Sequence, residues 1–474
     1  MTTTTKTGHE QEHAPSAASI GRVPLPEAKK GDTAALAQRM KLTLNYDELT
    51  NCMRCGFCQP ACPTFKETGL EAASPRGRIA LMKAVVDDIM EPGEQFKAQM
   101  DLCLGCRACE PVCPSDVKYG QLLEQTRDAI ERHEEHGWFV RSTRALMFKQ
   151  MFPHPKRMRA LGFALKAYQR TGLNKVARAT GIMRLFPAHM RNMERILPEA
   201  SSQGVVGALG TFVPAKGKAV ARVGMFRGCL MDVLFLGSNV NTVKLLAECG
   251  FDVVIPDSQN CCGALHAHSG ELDQARELAK KNIRAFREAN VDYIISNAGG
   301  CGALLVEYNH LLHDDPEWKE SSAWFAERVK DVSQIIMERG RIPQLAALKN
   351  ESGETRPLTI TYQDSCHLRN VMRAGNAPRD LMSRVEGARF RELQGADRCC
   401  GSAGIYNLVQ PDMSTQILDH KMEHVKETEA HYLLTSNPGC LLQMKYGIER
   451  EQIGDKMQAV HIVDFLYERL ANRE

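Results

Sequence analysis

Eight cysteines between residues 52 and 113 repeat one spacing twice: Cys52-x-x-Cys55-x-x-Cys58-x-x-x-Cys62-Pro63, then Cys103-x-x-Cys106-x-x-Cys109-x-x-x-Cys113-Pro114. Three thiolates spaced by two residues form a cradle for one metal centre, and the fourth, followed by proline, points elsewhere. Where such a run occurs twice, that fourth cysteine ligates the other cluster. The pattern therefore assigns one 4Fe-4S cluster to Cys52, Cys55, Cys58 and Cys113, and a second to Cys62, Cys103, Cys106 and Cys109. Zinc is the alternative, although its knuckles usually pair Cys-x-x-Cys without a third evenly spaced cysteine or a Cys-Pro ending. Disulfides would require an exported chain.

Eight more cysteines fall in two copies of a second motif. The first has Arg227-Gly228-Cys229, Asn260-Cys261-Cys262-Gly263 and Asn297-Ala298-Gly299-Gly300-Cys301; the second has Asp364-Ser365-Cys366-His367, Arg398-Cys399-Cys400-Gly401 and Asn437-Pro438-Gly439-Cys440. The gap from single to double cysteine is 31 residues in one copy (230 to 260) and 32 in the other (367 to 398), which marks an internal repeat. Each vicinal pair offers two thiols, and its glycine lets the backbone turn tightly beside them. Each set of four could bind a further cluster; a vicinal redox disulfide, a zinc site or a nest of buried structural thiols are the alternatives. Cys249 falls outside the pattern and reads as a small buried hydrophobe. His367 could donate to a thiolate or take up a proton as electrons arrive, or be structural. His266, His268 and His461 receive no role.

The elements that position these cysteines follow from periodicity. Ser74-Pro75-Arg76-Gly77-Arg78 is turn chemistry leading into a helix with Ile79, Met82, Val85, Val86 and Ile89 on its apolar face, expected to pack over the clusters. An exit helix is expected over Tyr119 to Glu135. Within the repeat, apolar runs at 220–226, 252–255 and 292–296, and at 358–362, 389–393 and 431–435, read as strands, with helices such as 271–289 and 413–429 between them. Such alternation implies parallel sheets covered by helices, with ligand sites at the carboxyl edge.

The fold class is thus α+β multidomain: a helical dicluster ferredoxin-like module followed by two pseudo-repeated α/β Cys-Cys-Gly halves. The expected boundaries are a disordered tail at 1–40, the dicluster module at 41–135, a basic helical region and linker at 136–218, and the two halves at 219–340 and 341–474. Hydrophobic and charged fractions of 43% and 25% are those of a globular protein. The 17 cysteines come with a polar start and no export-type apolar segment, so reduced thiolates and a cytoplasmic location are expected. A net charge of +3 gives no reason to expect nucleic acid. Its distribution says more: Arg141 to Arg195 carries thirteen Lys or Arg against one acid, Glu194, with Phe148, Phe152, Phe163, Tyr168 and Phe186 interleaved. That stretch reads equally as a surface for anionic lipid or an acidic partner and as a solvated face around core aromatics.

With Cys55-Gly56-Phe57-Cys58, Ser74 to Lys83, Cys113-Pro114-Ser115 and both Cys-Cys-Gly motifs placed, the chain from about residue 45 onward resembles the iron-sulfur subunit of bacterial glycolate oxidase. The architecture is shared with the equivalent subunit of anaerobic glycerol-3-phosphate dehydrogenase and with heterodisulfide-reductase-like proteins. The resemblance implies an electron-transfer subunit of an oxidoreductase complex. An FAD-containing partner would oxidise a 2-hydroxy acid such as glycolate, and this chain would pass the electrons toward a quinone or other respiratory acceptor, at most peripheral on the cytoplasmic face of the membrane. No Gly-x-Gly-x-x-Gly opens a helix, which suits flavin chemistry on another chain. The departure is at Leu304 and Gln443, where the heterodisulfide-reductase members carry a fifth cysteine.

Overall fold

The computed structural model describes residues 31–186, 188–347 and 358–471. Most of the expected tail lies outside those residues, but Thr33–Thr43 is a helix, so the expectation of disorder up to residue 40 is corrected. Asp32 caps it by accepting from Ala34 and Ala35 N–H at 3.0 Å, and Leu36 and Met40 are buried. A narrow apolar stripe was enough, because helices Pro75–Val86 and Tyr119–His133 supply the surface that covers it.

Every residue at the start of helix Pro75–Val86 has a physical task. Ser74 Oγ accepts from Gly77 N–H at 3.1 Å as the N-cap, and Pro75 occupies the first turn, where a missing N–H costs nothing. Arg76 clamps two loops, donating to the Arg54 carbonyl at 2.9 Å and to Glu71 at 2.6 Å. Gly77 packs so tightly that an added Cβ would sit 1.9 Å from the Glu71 carbonyl oxygen. Arg78 is fully buried. The helix ends at Val86, and Ile89, expected on its apolar face, is 77% exposed beyond the end. Helix Tyr119–His133 buries Leu122, Leu123, Thr126, Ala129 and Ile130, as its period predicts.

Downstream lie two sheets. The first has the order β1-β3-β2-β4-β5, with β1 (Phe212–Val213), β2 (Ala221–Phe226), β3 (Phe251–Val254), β4 (Tyr293–Ser296) and β5 (Val329–Asp331). β2 pairs in parallel with both β3 and β4, setting Val223 opposite Val253 and Tyr293. The second has the order β7-β6-β8-β9, all parallel, with β6 (Leu358–Tyr362), β7 (Ala388–Phe390), β8 (Tyr432–Thr435) and β9 (Gln458–His461). The end of the region expected as basic helices and linker at 136–218 holds helix Gly204–Leu209 and β1, which pairs antiparallel with β3. One apolar core, with Ile360, Tyr362 and Phe465 beside Val223, Phe251 and Ile336, joins the two sheets.

Candidate metal centres

Both ferredoxin-type runs bend at the same two places. In the first, Arg54 and Gly56 are left-handed, at φ 57° and 92°; in the second, Gly105 and Arg107 are, at 65° and 59°. Left-handed residues on either side of the middle cysteine curl the chain so that three thiols face one space. In each run one of the two positions is glycine, which takes that conformation without strain.

Cys52, Cys55, Cys58 and Cys113 line one open pocket, with Cys109, Ile79 and Tyr119 on its wall. Cys62, from the first run, acts electrostatically on Cys106 and Cys109 of the second and also on Cys58 of its own. Among the described residues no three His, Cys, Asp or Glu side chains converge at the spacing of a single metal ion. A cluster of four irons spreads its thiolates more widely than one ion does.

Polar groups around the second set fit an anionic group. Arg78 donates through Nε to the Gln99 carbonyl at 2.6 Å and through Nη2 to Thr64 Oγ1 at 3.1 Å; Thr64 Oγ1 lies 3.3 Å from Cys62 Sγ. Its remaining nitrogen, Nη1, is buried without a partner. Burial works to lower the Arg78 pKa, but Cys103, Tyr119 and Cys62 outweigh it and raise it. Burial likewise works to raise the Cys103 thiol. Arg78 and Arg127, with Tyr119 O–H at 3.5 Å and Gly105 N–H at 3.4 Å, hold it below its ordinary value. A buried guanidinium with an unmet donor, among thiols one of which is already biased toward thiolate, suits a ligated cluster.

The Cys-Cys-Gly cysteines also come together in fours, each set at strand carboxyl ends. In the first half Cys229 Sγ lies 3.4 Å from Cys261 Sγ, and Cys262 interacts with Cys301 and Cys229. In the second, Cys366 couples to Cys399, Cys399 to Cys400, and Cys400 to Cys440. Leu304 and Gln443 sit against the two motif glycines, 3.4 Å from where a Cβ on Gly263 or Gly401 would be, so the missing fifth cysteines would have faced these sites. Cys249 is fully buried between sheet and helix, as a small hydrophobe.

The histidines dock rather than ligate. His367 Nε2 donates to the Gly105 carbonyl at 2.9 Å, and burial pushes its pKa down to about 4. His266 binds the Phe148 carbonyl, His268 Nδ1 binds Glu124, and His461 binds the Asn297 carbonyl. The basic stretch divides. Phe148 and Phe152 are core, packed on His266, whereas Phe163 and Leu185 are 65% and 85% exposed. Sequence reasoning gave no role to Arg78, Tyr119 or Lys421. The signal for Arg78 was a charged residue immediately before the apolar period that begins at Ile79.

Residues 48–117 match the 4Fe-4S dicluster domain, 139–197 the linker region of the glycolate oxidase iron-sulfur subunit, and 223–305 and 360–445 the cysteine-rich domain. The chain is 51% identical over 439 residues, 92% of its length, to the probable glycolate oxidase iron-sulfur subunit of Bacillus subtilis, covering 98% of that protein. It is 27% identical to the Escherichia coli glycolate oxidase iron-sulfur subunit over 83% of this chain and 88% of that one. Lactate utilization protein A of Geobacillus thermodenitrificans is 32% identical over 52% of this chain and 99% of its own. A dicluster module carrying iron-sulfur centres, fused through that linker to two cysteine-rich domains, therefore places the chain in the glycolate oxidase iron-sulfur subunit family, as an electron-transfer component of an oxidoreductase complex.

Proposed function

We propose that this chain carries electrons from an FAD-containing partner, which oxidises glycolate, toward a quinone or other respiratory acceptor. Two 4Fe-4S clusters serve it, one on Cys52, Cys55, Cys58 and Cys113, the other on Cys62, Cys103, Cys106 and Cys109. The observation that supports the crossed assignment is Cys113 of the second run lining the pocket of Cys52, Cys55 and Cys58, with Cys62 of the first run acting electrostatically on Cys106 and Cys109. When bound, such clusters accept and release single electrons. The chain's own residues hold the thiolates, keep Arg78 beside the second set, and exclude water there, since Cys103, Cys106 and Cys109 are each 8% exposed. Lactate is the second candidate electron source, favoured by the similarity to a lactate utilization protein. We read the two Cys-Cys-Gly halves as a pseudo-repeat, an interpretation supported by one cysteine-rich family matching both.

No helix among the described residues is long and apolar enough to cross a membrane. Contact with the cytoplasmic face would run through the basic stretch, where the side chains of Phe163 and Leu185 are exposed. Cosedimentation with vesicles containing anionic lipid tests this: binding that weakens at moderate salt is expected, and salt-insensitive binding or none contradicts it. Anaerobic copurification with dye reduction by glycolate, lactate and glycerol 3-phosphate tests the electron source. Reduction by glycerol 3-phosphate alone would overturn the glycolate assignment.

A further inference from the structure

Fifty-one residues separate equivalent positions of the two ferredoxin-type runs (52 to 103), so each residue of one has a counterpart in the other. The runs match in spacing and in where they bend, but not in cover. Met53 is 66% exposed, whereas its counterpart Leu104 is 7% exposed. Phe57 is exposed and its counterpart Ala108 half-buried; Cys55 is an exposed thiol and Cys106 a buried one.

The chain itself covers the second run. Leu104, Cys106 and Ala108 pack in one apolar cluster with Tyr406 and Ile417 of the second Cys-Cys-Gly half. Three hydrogen bonds seat the loop Leu102–Cys106 there: His367 Nε2 donates to the Gly105 carbonyl at 2.9 Å, Asn370 Nδ2 to the Cys106 carbonyl at 2.9 Å, and Tyr406 O–H to the Leu102 carbonyl at 2.8 Å. Arg107 ties it to the first half as well, donating through Nη1 to the Glu307 carboxylate at 2.7 Å. At the first run, the counterparts of the Leu102 and Cys106 carbonyls are those of Asn51 and Cys55, and among the described residues nothing donates to either. Arg54 spends its carbonyl on Arg76, but its own guanidinium is exposed and forms no ion pair among the described residues.

Single exposed apolar side chains are ordinary. Here Met53 and Phe57 stand on either side of the exposed Cys55, Met53 and Arg54 line the same open pocket as the four thiols, and Val112, beside Cys113, is exposed too. Such a patch marks an interaction site. A small acceptor such as a quinone needs a cavity of its own, and the pocket under this patch is the cradle of the cluster. The flavin proposed above sits on another chain, so it comes to this one as part of a protein surface.

We propose that the FAD-containing partner docks on the face formed by Met53, Arg54, Phe57 and Val112, covering the first run as the second Cys-Cys-Gly half covers the second. It presents an apolar surface to Met53 and Phe57 and a carboxylate to Arg54. This rests on the electron-carrier reading given under Proposed function.

The test uses the complex purified anaerobically through the full chain, read as flavin per iron. Met53→Glu combined with Phe57→Glu puts two charges into the apolar contact, and should cut flavin per iron about tenfold or more while the electron paramagnetic resonance signals of both clusters remain. Arg54→Glu should lower it as well, and Arg54→Lys should not. The photocrosslinker benzoylphenylalanine at position 57 of the otherwise unaltered chain should capture the flavin-carrying chain within the purified complex, and at position 163 should not. That capture reports even if the double variant fails to hold its clusters. Unchanged flavin per iron with both signals kept, Arg54→Glu as rich in flavin as Arg54→Lys, capture from position 163 but not 57, or capture of a second copy of this chain from position 57 overturns the docking face alone. A wild-type complex without flavin overturns the electron-carrier reading and the docking face together.

Discussion

Replacing Arg78 by methionine removes a fully buried positive charge from beside the second cluster while filling most of its volume. Arg78 Nη2 reaches Thr64 Oγ1 at 3.1 Å, and that oxygen lies 3.3 Å from Cys62 Sγ, so the guanidinium is within about 6 Å of one ligand thiol. A unit charge at about 6 Å through an effective dielectric near 20 is worth about 3 kcal/mol. For a one-electron couple that is about 120 mV, at 59 mV per tenfold. Because the added electron is shared over the cluster, the expected shift is roughly 100 mV to lower potential for the second cluster alone. The lost hydrogen bonds should also destabilise the fold by about 1–3 kcal/mol. A redox titration followed by electron paramagnetic resonance separates the two effects, and Arg78→Lys should recover most of the potential. An unchanged midpoint with both clusters present, or an equal shift of both, would refute the placement of Arg78 beside the second cluster.

Crossed ligation predicts that Cys62→Ser abolishes the cluster of the second run while sparing that of its own run, and that Cys113→Ser does the reverse; loss of the cluster of the same run in either variant contradicts it. Gly77→Ala would place a methyl 1.9 Å from the Glu71 carbonyl oxygen and should lower the thermal midpoint, through about 1–3 kcal/mol of overpacking; an unaltered midpoint would show the contact to be slack. Burial pushes the Asp331 carboxyl from 3.8 up to about 6, with Oδ1 accepting from Ser333 N–H at 2.8 Å and Oδ2 unpartnered. The folded chain therefore holds the extra proton between those values, and stability falls as pH rises from 3.8 to about 6. Asp331→Asn keeps the cap and removes the charge, so it should stabilise by roughly 2–3 kcal/mol at pH 8. The gain should vanish near pH 4, and equal stabilisation at both pH values would contradict this origin.

The dicluster module was legible because ligation fixes residue type and spacing within one short run, and the proposed crossing was inferred from the Cys-Pro ends. The strands were legible from apolar runs; Leu358–Tyr362 begins and ends where its run does. Helix Thr33–Thr43 was hidden because its partners are distant in sequence and its own apolar residues are few. β1 has only two residues, too short to carry an alternation. The seating of the Leu102–Cys106 loop was invisible because its acceptors are backbone carbonyls, which no residue type announces. Lys421 stood in an amphipathic helix among other charged residues, and only the structure shows it inside.

The most direct test of the electron-transfer account is to add glycolate, without dithionite, to the complex purified anaerobically through this chain, and to record electron paramagnetic resonance. The account predicts a copurifying flavoprotein and reduced 4Fe-4S signals that Cys113→Ser and Cys62→Ser each diminish. Clusters that dithionite reduces but neither glycolate nor lactate reaches, with the flavoprotein present, would contradict it.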